Sequence, residues 1–209
     1  MLTKMPEADA QILERRQRII GDMLDLLGDD GVVYDDAALS PYSCDALTLY
    51  TQKPLLVALP KDVSEVAEIM SYAQREGVKI VPRGSGTSLS GGSLPAADAI
   101  LLVMTRFNRI LEVDYENQLA RVQPGVTNLA ITRAVEHDGF YYAPDPSSQI
   151  ACSIGGNVAE NSGGVHCLKY GLTTNNVLGV ELVLMDGSVL RLGGHGALDQ
   201  SHFDLLGVI

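Results

Sequence analysis

PRGSGTSLSGGSLP (residues 82–95) and CSIGGNVAENSGG (residues 152–164) decide how this chain is read. Both are runs of small and hydroxylated residues, with Gly84, Gly86, Gly91 and Gly92 in the first and Gly155, Gly156, Gly163 and Gly164 in the second. Such backbone can turn through positive φ and lie close to a ligand, and successive N–H groups in such turns converge on an anion. Neither stretch has the form of the common nucleotide motifs. No Lys follows Gly91 or Gly92, which excludes GxxxxGK[ST], and Leu89 stands where GxGxxG needs its third glycine. The expected chemistry is phosphate cradling by another fold.

In the first stretch, Ser85, Thr87, Ser88 and Ser90 offer hydroxyls to pyrophosphate oxygens, and Arg83 offers a fixed positive charge. A solvated surface loop would have a similar composition. Its length without further charge, directly after an apolar strand, favours binding. In the second stretch, Gly155-Gly156 and Gly163-Gly164 leave room for a flat ligand, and Asn157 and Asn161 can meet donor and acceptor edges. The competing reading is a close-packed Gly/Ala crossing between core elements. Asp145, between two prolines in PDPSS, reads equally as a turn former. His137, His166, His195 and His202 lack ligand spacing, and no GxSxG nucleophile motif occurs. Cys152 has no nearby Lys or Arg and reads as a small buried residue, not a nucleophile.

The rest of the chain sets bounds on partners. Glycine numbers 21 in 209 residues, above the usual ~7%, and the excess is concentrated around these two stretches. A net charge of −11 argues against nucleic acid or an anionic membrane surface as partner. Cys44, Cys152 and Cys167 form no CxxC, which suggests free thiols in a reducing compartment. The charged N-terminus has no signal-peptide core, and no apolar run approaches the ~20 residues of a membrane span. A cytoplasmic location is expected.

Periodicity predicts α+β architecture with mixed sheets. Ile20, Met23, Leu24 and Leu27 recur at helical spacing before Gly28, and the turn-rich stretch GDDGVVYDDAALSPYSCD (28–45), ending near Tyr50, reads as a loop or linker. LLVAL (55–59), a helix opened by Asp62 and Glu65 and ended by Gly77, and KIVP (79–82) predict a β-α-β unit leading into the first glycine loop. AILLV (99–103) predicts a further buried strand, and ILEVD with LARVQ predicts a hairpin. Thr127 is placed as the cap of a helix whose face is Val126, Ala130, Ala134 and Val135. Residues 177–192 predict a second hairpin with a two-residue primed turn at Asp186-Gly187.

From about Leu55 to the last residue, the combined motifs resemble the FAD-linked oxidases of the vanillyl-alcohol oxidase and p-cresol methylhydroxylase type. Within them the resemblance is to the flavoenzymes of D-2-hydroxy acids. PRGSGTSLSGG matches the family's pyrophosphate loop, and PDPSS with CSIGGNVAENSGG its second flavin segment. KYGLTTNNVLGVELVLMDGSVL matches the strand and hairpin that follow. The resemblance implies an FAD-binding domain of two α/β subdomains, residues 51–124 and 125–209, after an N-terminal helix and loop over 1–50. It implies that Arg83, Gly84, Ser85, Gly86, Thr87, Ser88, Gly91 and Gly92 hold the pyrophosphate. Pro144, Asp145, Cys152, Ser153, Gly155, Gly156, Asn157, Ala159 and Gly163 would approach the flavin. Some relatives attach FAD through a His in the first loop; residues 82–95 hold none, so FAD is expected to be non-covalent.

The resemblance further implies hydride transfer from a small D-2-hydroxy acid, glycolate foremost, to FAD, with companion flavoprotein and iron–sulfur subunits as partners. Association with the inner membrane through those partners is part of that expectation. The family pattern continues beyond FDLLGVI, so the second subdomain is expected to be incomplete. No catalytic or metal residue is placed in this chain. Two alternatives stay open: a flavin-binding module without turnover, and a flavoenzyme acting on a sugar nucleotide.

Overall fold

The computed structural model describes residues 5–194 and 205–208. His195 and His202 lie outside the described residues. The chain divides into two compact units, Met1–Arg106 with Met185–Gly187, and Phe107–Leu184 with Ser188–Ile209.

The first unit opens with helices α1 (Ala10–Glu14) and α2 (Arg16–Leu27), the latter burying Ile19, Ile20, Met23 and Leu27 and stopping at Gly28, φ 75°. The segment that reads as a linker is part of the fold. Its Val32–Val33 forms β1, an edge strand antiparallel to β2 (Leu56–Ala58), and Leu39 is 2% exposed in the core. Polarity misleads here, because three or four apolar residues among turn formers suffice to dock a short edge strand.

Helix α3 (Val63–Glu76) starts at Asp62, whose side chain accepts from the Glu65 N–H at 2.9 Å. Glu65 reaches back one residue further than expected, accepting from the Lys61 N–H at 2.6 Å. Gly77 closes the helix in the left-handed region. Strands β3 (Lys79–Arg83) and β4 (Ala99–Val103) both run parallel to their neighbours, and the sheet order is β1-β2-β4-β3. The β-α-β unit therefore skips a strand, with β4 inserted between β2 and β3. Central position explains why β4 is buried along its whole length and reads as an unbroken apolar run. The register pairs Arg83 with Val103, which puts the first glycine loop at the carboxyl end of β3.

The second unit holds the hairpin β5 (Ile110–Asp114) and β6 (Leu119–Val122), helix α4 (Asn128–Val135), two short helices α5 (Ile154–Glu160) and α6 (Cys167–Tyr170), and the hairpin β7 (Gly179–Val183) and β8 (Val189–Gly193). Thr127 occupies the cap position of α4 without a capping bond from its side chain. The buried positions of α4 are Asn128, Ile131 and Val135; Ala130 and Ala134 are only partly covered. The larger Ile131 fixes the rotation, and it carries polar Asn128 inside.

The β7–β8 turn also differs from expectation. The Leu184 N–H donates to the Ser188 carbonyl at 2.9 Å, so Met185, Asp186 and Gly187 form a three-residue loop. Gly187 alone among them has positive φ, 84°, as in a type I turn closed by a left-handed glycine. A two-residue type I′ turn would need Asp186 at positive φ too.

Candidate functional site

The two glycine stretches fall in different units. In the first unit, Arg83 turns beneath the loop it precedes. Its Nη1 donates to the Cys44 carbonyl at 2.8 Å and to the Ser93 carbonyl at 3.2 Å, and the residue is 9% exposed. Gly86, φ 70°, closes down onto the guanidinium so tightly that an added Cβ would strike Nη2. The Gly86 carbonyl accepts from the Ala46 N–H at 3.0 Å, and the Leu94 N–H donates to the Gly91 carbonyl at 3.1 Å. Burial draws the Arg83 pKa down, while Cys44, Asp45 and Tyr42 favour its charged form. A guanidinium stays cationic under any such shift.

Above this base, the N–H groups of Gly84, Ser85, Gly86 and Thr87 have no acceptor among the described residues. Two side-chain oxygens of the same base, Asp45 Oδ2 and Ser93 Oγ, are buried and lack a hydrogen-bond partner among the described residues.

In the second unit, the flavin-like segment is organised by a buried polar network. Asn128 Nδ2 donates to the Pro144 carbonyl and to Asn157 Oδ1, each at 2.9 Å, and Asn157 Nδ2 lies 3.2 Å from Cys152 Sγ. Cys152, Asn128 and Asn157 are at most 3% exposed. Ser153 caps α5, its side chain accepting from the Gly156 N–H at 3.4 Å, and bridges to Thr127. The helix was not legible in the sequence, because a Gly-Gly pair in its first turn reads as loop.

Several glycines here serve packing. A Cβ on Gly155 would come 2.6 Å from Pro124 Cβ, one on Gly163 would strike Leu172, and one on Gly164 would strike the Asp145 carbonyl. Gly156 has only Ser153 Oγ nearby, and Ala159 is exposed, so α5 keeps one low outer surface. Asp145 accepts from the His166 N–H at 3.3 Å and pairs with His166 Nδ1 at 2.6 Å. Burial pushes the Asp145 carboxyl up, but the hydrogen bonds and charge of His166 outweigh it and the net shift is downward.

Spacing predicted none of the roles of Asn128, His166 or the Cys44–Ala46 turn. The available signal for Asn128 was its place at the start of an otherwise apolar face. His166 lies 21 residues from Asp145, and no periodic rule joins them. Among the described residues, no group of three potential metal-ligating side chains occurs.

Residues 54–193 match the family model described as FAD binding domain. The chain belongs to this FAD binding domain family. The chain is 55% identical over 175 residues to glycolate oxidase subunit GlcD of Escherichia coli (strain K12), covering 84% of this chain and 35% of that protein. Among solved structures, 4-ethylphenol oxidase from Gulosibacter chungangensis matches with TM-score 0.78 at 26% identity, over 99% of this chain and 41% of that one. p-Cresol methylhydroxylase with substrate bound matches in fold, with TM-score 0.71 at 18% identity, over 97% of this chain and 39% of that one. The chain thus spans about a third of the length of the curated relative it matches. The α+β fold is of the p-cresol methylhydroxylase type, and its cofactor is FAD.

The residues present fit that group. Four successive free amides over Gly84–Thr87, with Ser85, Thr87 and Ser88 hydroxyls beside them, suit the oxygens of a pyrophosphate. The low surface at Gly156 and Ala159 suits the approach of a planar ring.

Proposed function

We propose that this domain is the FAD-holding part of a flavin-dependent oxidoreductase of small D-2-hydroxy acids, with glycolate as substrate and glyoxylate as product. The observation that carries the reading is 55% identity to the glycolate oxidase subunit across both glycine stretches. When bound, FAD supplies the two-electron acceptor for such an oxidation. The chain's own residues bind and orient it: Gly84–Ser88 with Gly91 and Gly92 at the pyrophosphate, and Gly156 and Ala159, with Pro144, Asp145 and Ser153 behind them, along the flavin. Cys152, Asn157, Gly155 and Gly163 support that surface from within. FAD is held non-covalently, since residues 82–95 contain no His. The relative's designation as a subunit supports assembly into a complex; companion flavoprotein and iron–sulfur subunits, and a peripheral membrane site through them, are part of the same proposal. Among the described residues, no helix is long and apolar enough to cross a membrane.

The test is the visible spectrum of the purified chain after incubation with FAD and desalting. Retained flavin bands, lost on acid precipitation, are expected for non-covalent binding; a colourless protein overturns the reading. Anaerobic glycolate then separates the two remaining readings. Bleaching marks an enzyme, and stable colour marks a binding module.

A further inference from the structure

Beneath the first glycine loop, three chain segments converge on one buried guanidinium. Arg83 ends β3, Ser93 lies beyond the loop, and Cys44–Ala46 comes from the stretch that reads as linker. Arg83 Nη1 ties the carbonyls of Cys44 and Ser93 together, and the Ala46 N–H holds the Gly86 carbonyl at the loop's crown. The Cys44–Ala46 turn is itself fixed. Asp45 Oδ1 accepts from the Leu47 N–H at 3.0 Å, and the Thr48 N–H donates to the Asp45 carbonyl at 3.3 Å, with Thr48 in the left-handed region at φ 56°.

Charge completes the arrangement. Asp45, 4% exposed, follows Cys44 among the groups that favour the charged form of Arg83. The two unpartnered buried oxygens among the described residues, Asp45 Oδ2 and Ser93 Oγ, both belong to this cluster.

We propose that Arg83, Asp45 and the Cys44–Ala46 turn form a clasp that sets the phosphate-receiving shape of the loop from beneath, with Arg83 a positioning residue that does not touch the phosphate. The proposal rests on the reading of residues 84–92 as the pyrophosphate loop of FAD. Its physical basis is the shape of the guanidinium. One terminal nitrogen, Nη1, bridges the two carbonyls while Nη2, Cζ and Nε fill the space under Gly86, a flat volume that the compact ammonium of a Lys leaves empty.

The full chain is compared with its Arg83→Lys and Arg83→Met variants in two measurements. The first is amide hydrogen exchange at Ala46 without FAD. Both variants are expected to exchange about tenfold faster there, with α3 amides unchanged. The second is FAD affinity by flavin fluorescence, followed as a function of salt. Both variants are expected to bind about tenfold more weakly, as one buried hydrogen-bonding group is lost, with the salt slope of wild type retained. Restored binding in Arg83→Lys, a changed salt slope in Arg83→Met and unaltered Ala46 exchange would together show a direct phosphate contact and overturn the clasp. If Arg83→Met loses its far-ultraviolet dichroism, Asp45→Asn carries the test. It preserves shape and removes the buried charge, and unchanged Ala46 exchange and FAD affinity would sink the proposal. If wild type binds no FAD, the functional reading fails, while exchange at Ala46 still decides the clasp.

Discussion

At the scale of single residues, the second segment depends on a pair 21 positions apart. Asp145 Oδ2 and His166 Nδ1 lie 2.6 Å apart, and with the carboxylate ionised the ring proton must sit on Nδ1. Gly164 packs under the Asp145 carbonyl with no space for a side chain. The Asp145 carboxyl is held below its ordinary value, so its contribution to stability is complete above about pH 4, the value of an unfolded aspartate. That contribution declines as pH falls through the lower folded value. Urea unfolding of wild type and Asp145→Asn should therefore differ most at neutral pH and converge in acid; a gap independent of pH would exclude the ionised pair. From sequence, Asp145 could be suspected as either turn former or ligand. His166 could be linked to it only in space, because the intervening chain folds through α5 before returning.

At the scale of elements, caps and central strands were the most legible features, because their determinants are local. Asp62 and Glu65 mark the start of α3, and Gly77 its end, within the few residues that make the hydrogen bonds. Asp62→Ala removes the acceptor for the Glu65 N–H and should cost about 1 kcal/mol, read as a fall of roughly 2–4 °C in Tm. The carboxyl of Asp62 lies below its ordinary value, first through the Ser64 hydroxyl and then the Glu65 N–H, which agrees with a cap that works in its ionised form. Helix α5 was illegible for the opposite reason. Gly155-Gly156 weakens helical propensity, and Ser153 together with contacts from Pro124 and Val126 supplies what propensity withholds. The β7–β8 turn shows how one residue of loop length escapes a dipeptide rule: Asp-Gly fits both loops, and the strand register selects three residues.

At the scale of the whole molecule, an acidic chain has to receive an anionic cofactor. With a net charge of −11, long-range electrostatics repel FAD, and the local amides over Gly84–Thr87 favour it. Screening should then help association. The rate of FAD binding in stopped-flow fluorescence is expected to rise several-fold between roughly 10 mM and 150 mM salt, where the Debye length falls from about 30 to 8 Å. A rate that falls with salt would place an attractive basic field around the site.

The sequence by itself determined the α+β class, the apolar strands of the first sheet, the caps of α3 and the two glycine-rich stretches on which the proposed cofactor site rests. Each of these is written in composition or in spacing over a few residues. Only the tertiary structure decided that β4 lies between β2 and β3, that residues 32–33 add an edge strand, and that Arg83 points under its loop to Cys44 and Ser93. The same holds for Asn128, buried between Pro144 and Asn157. The reason is physical. A side chain's partners are set by which distant carbonyls and amides packing leaves unpaired beside it, and no local pattern along the chain records that.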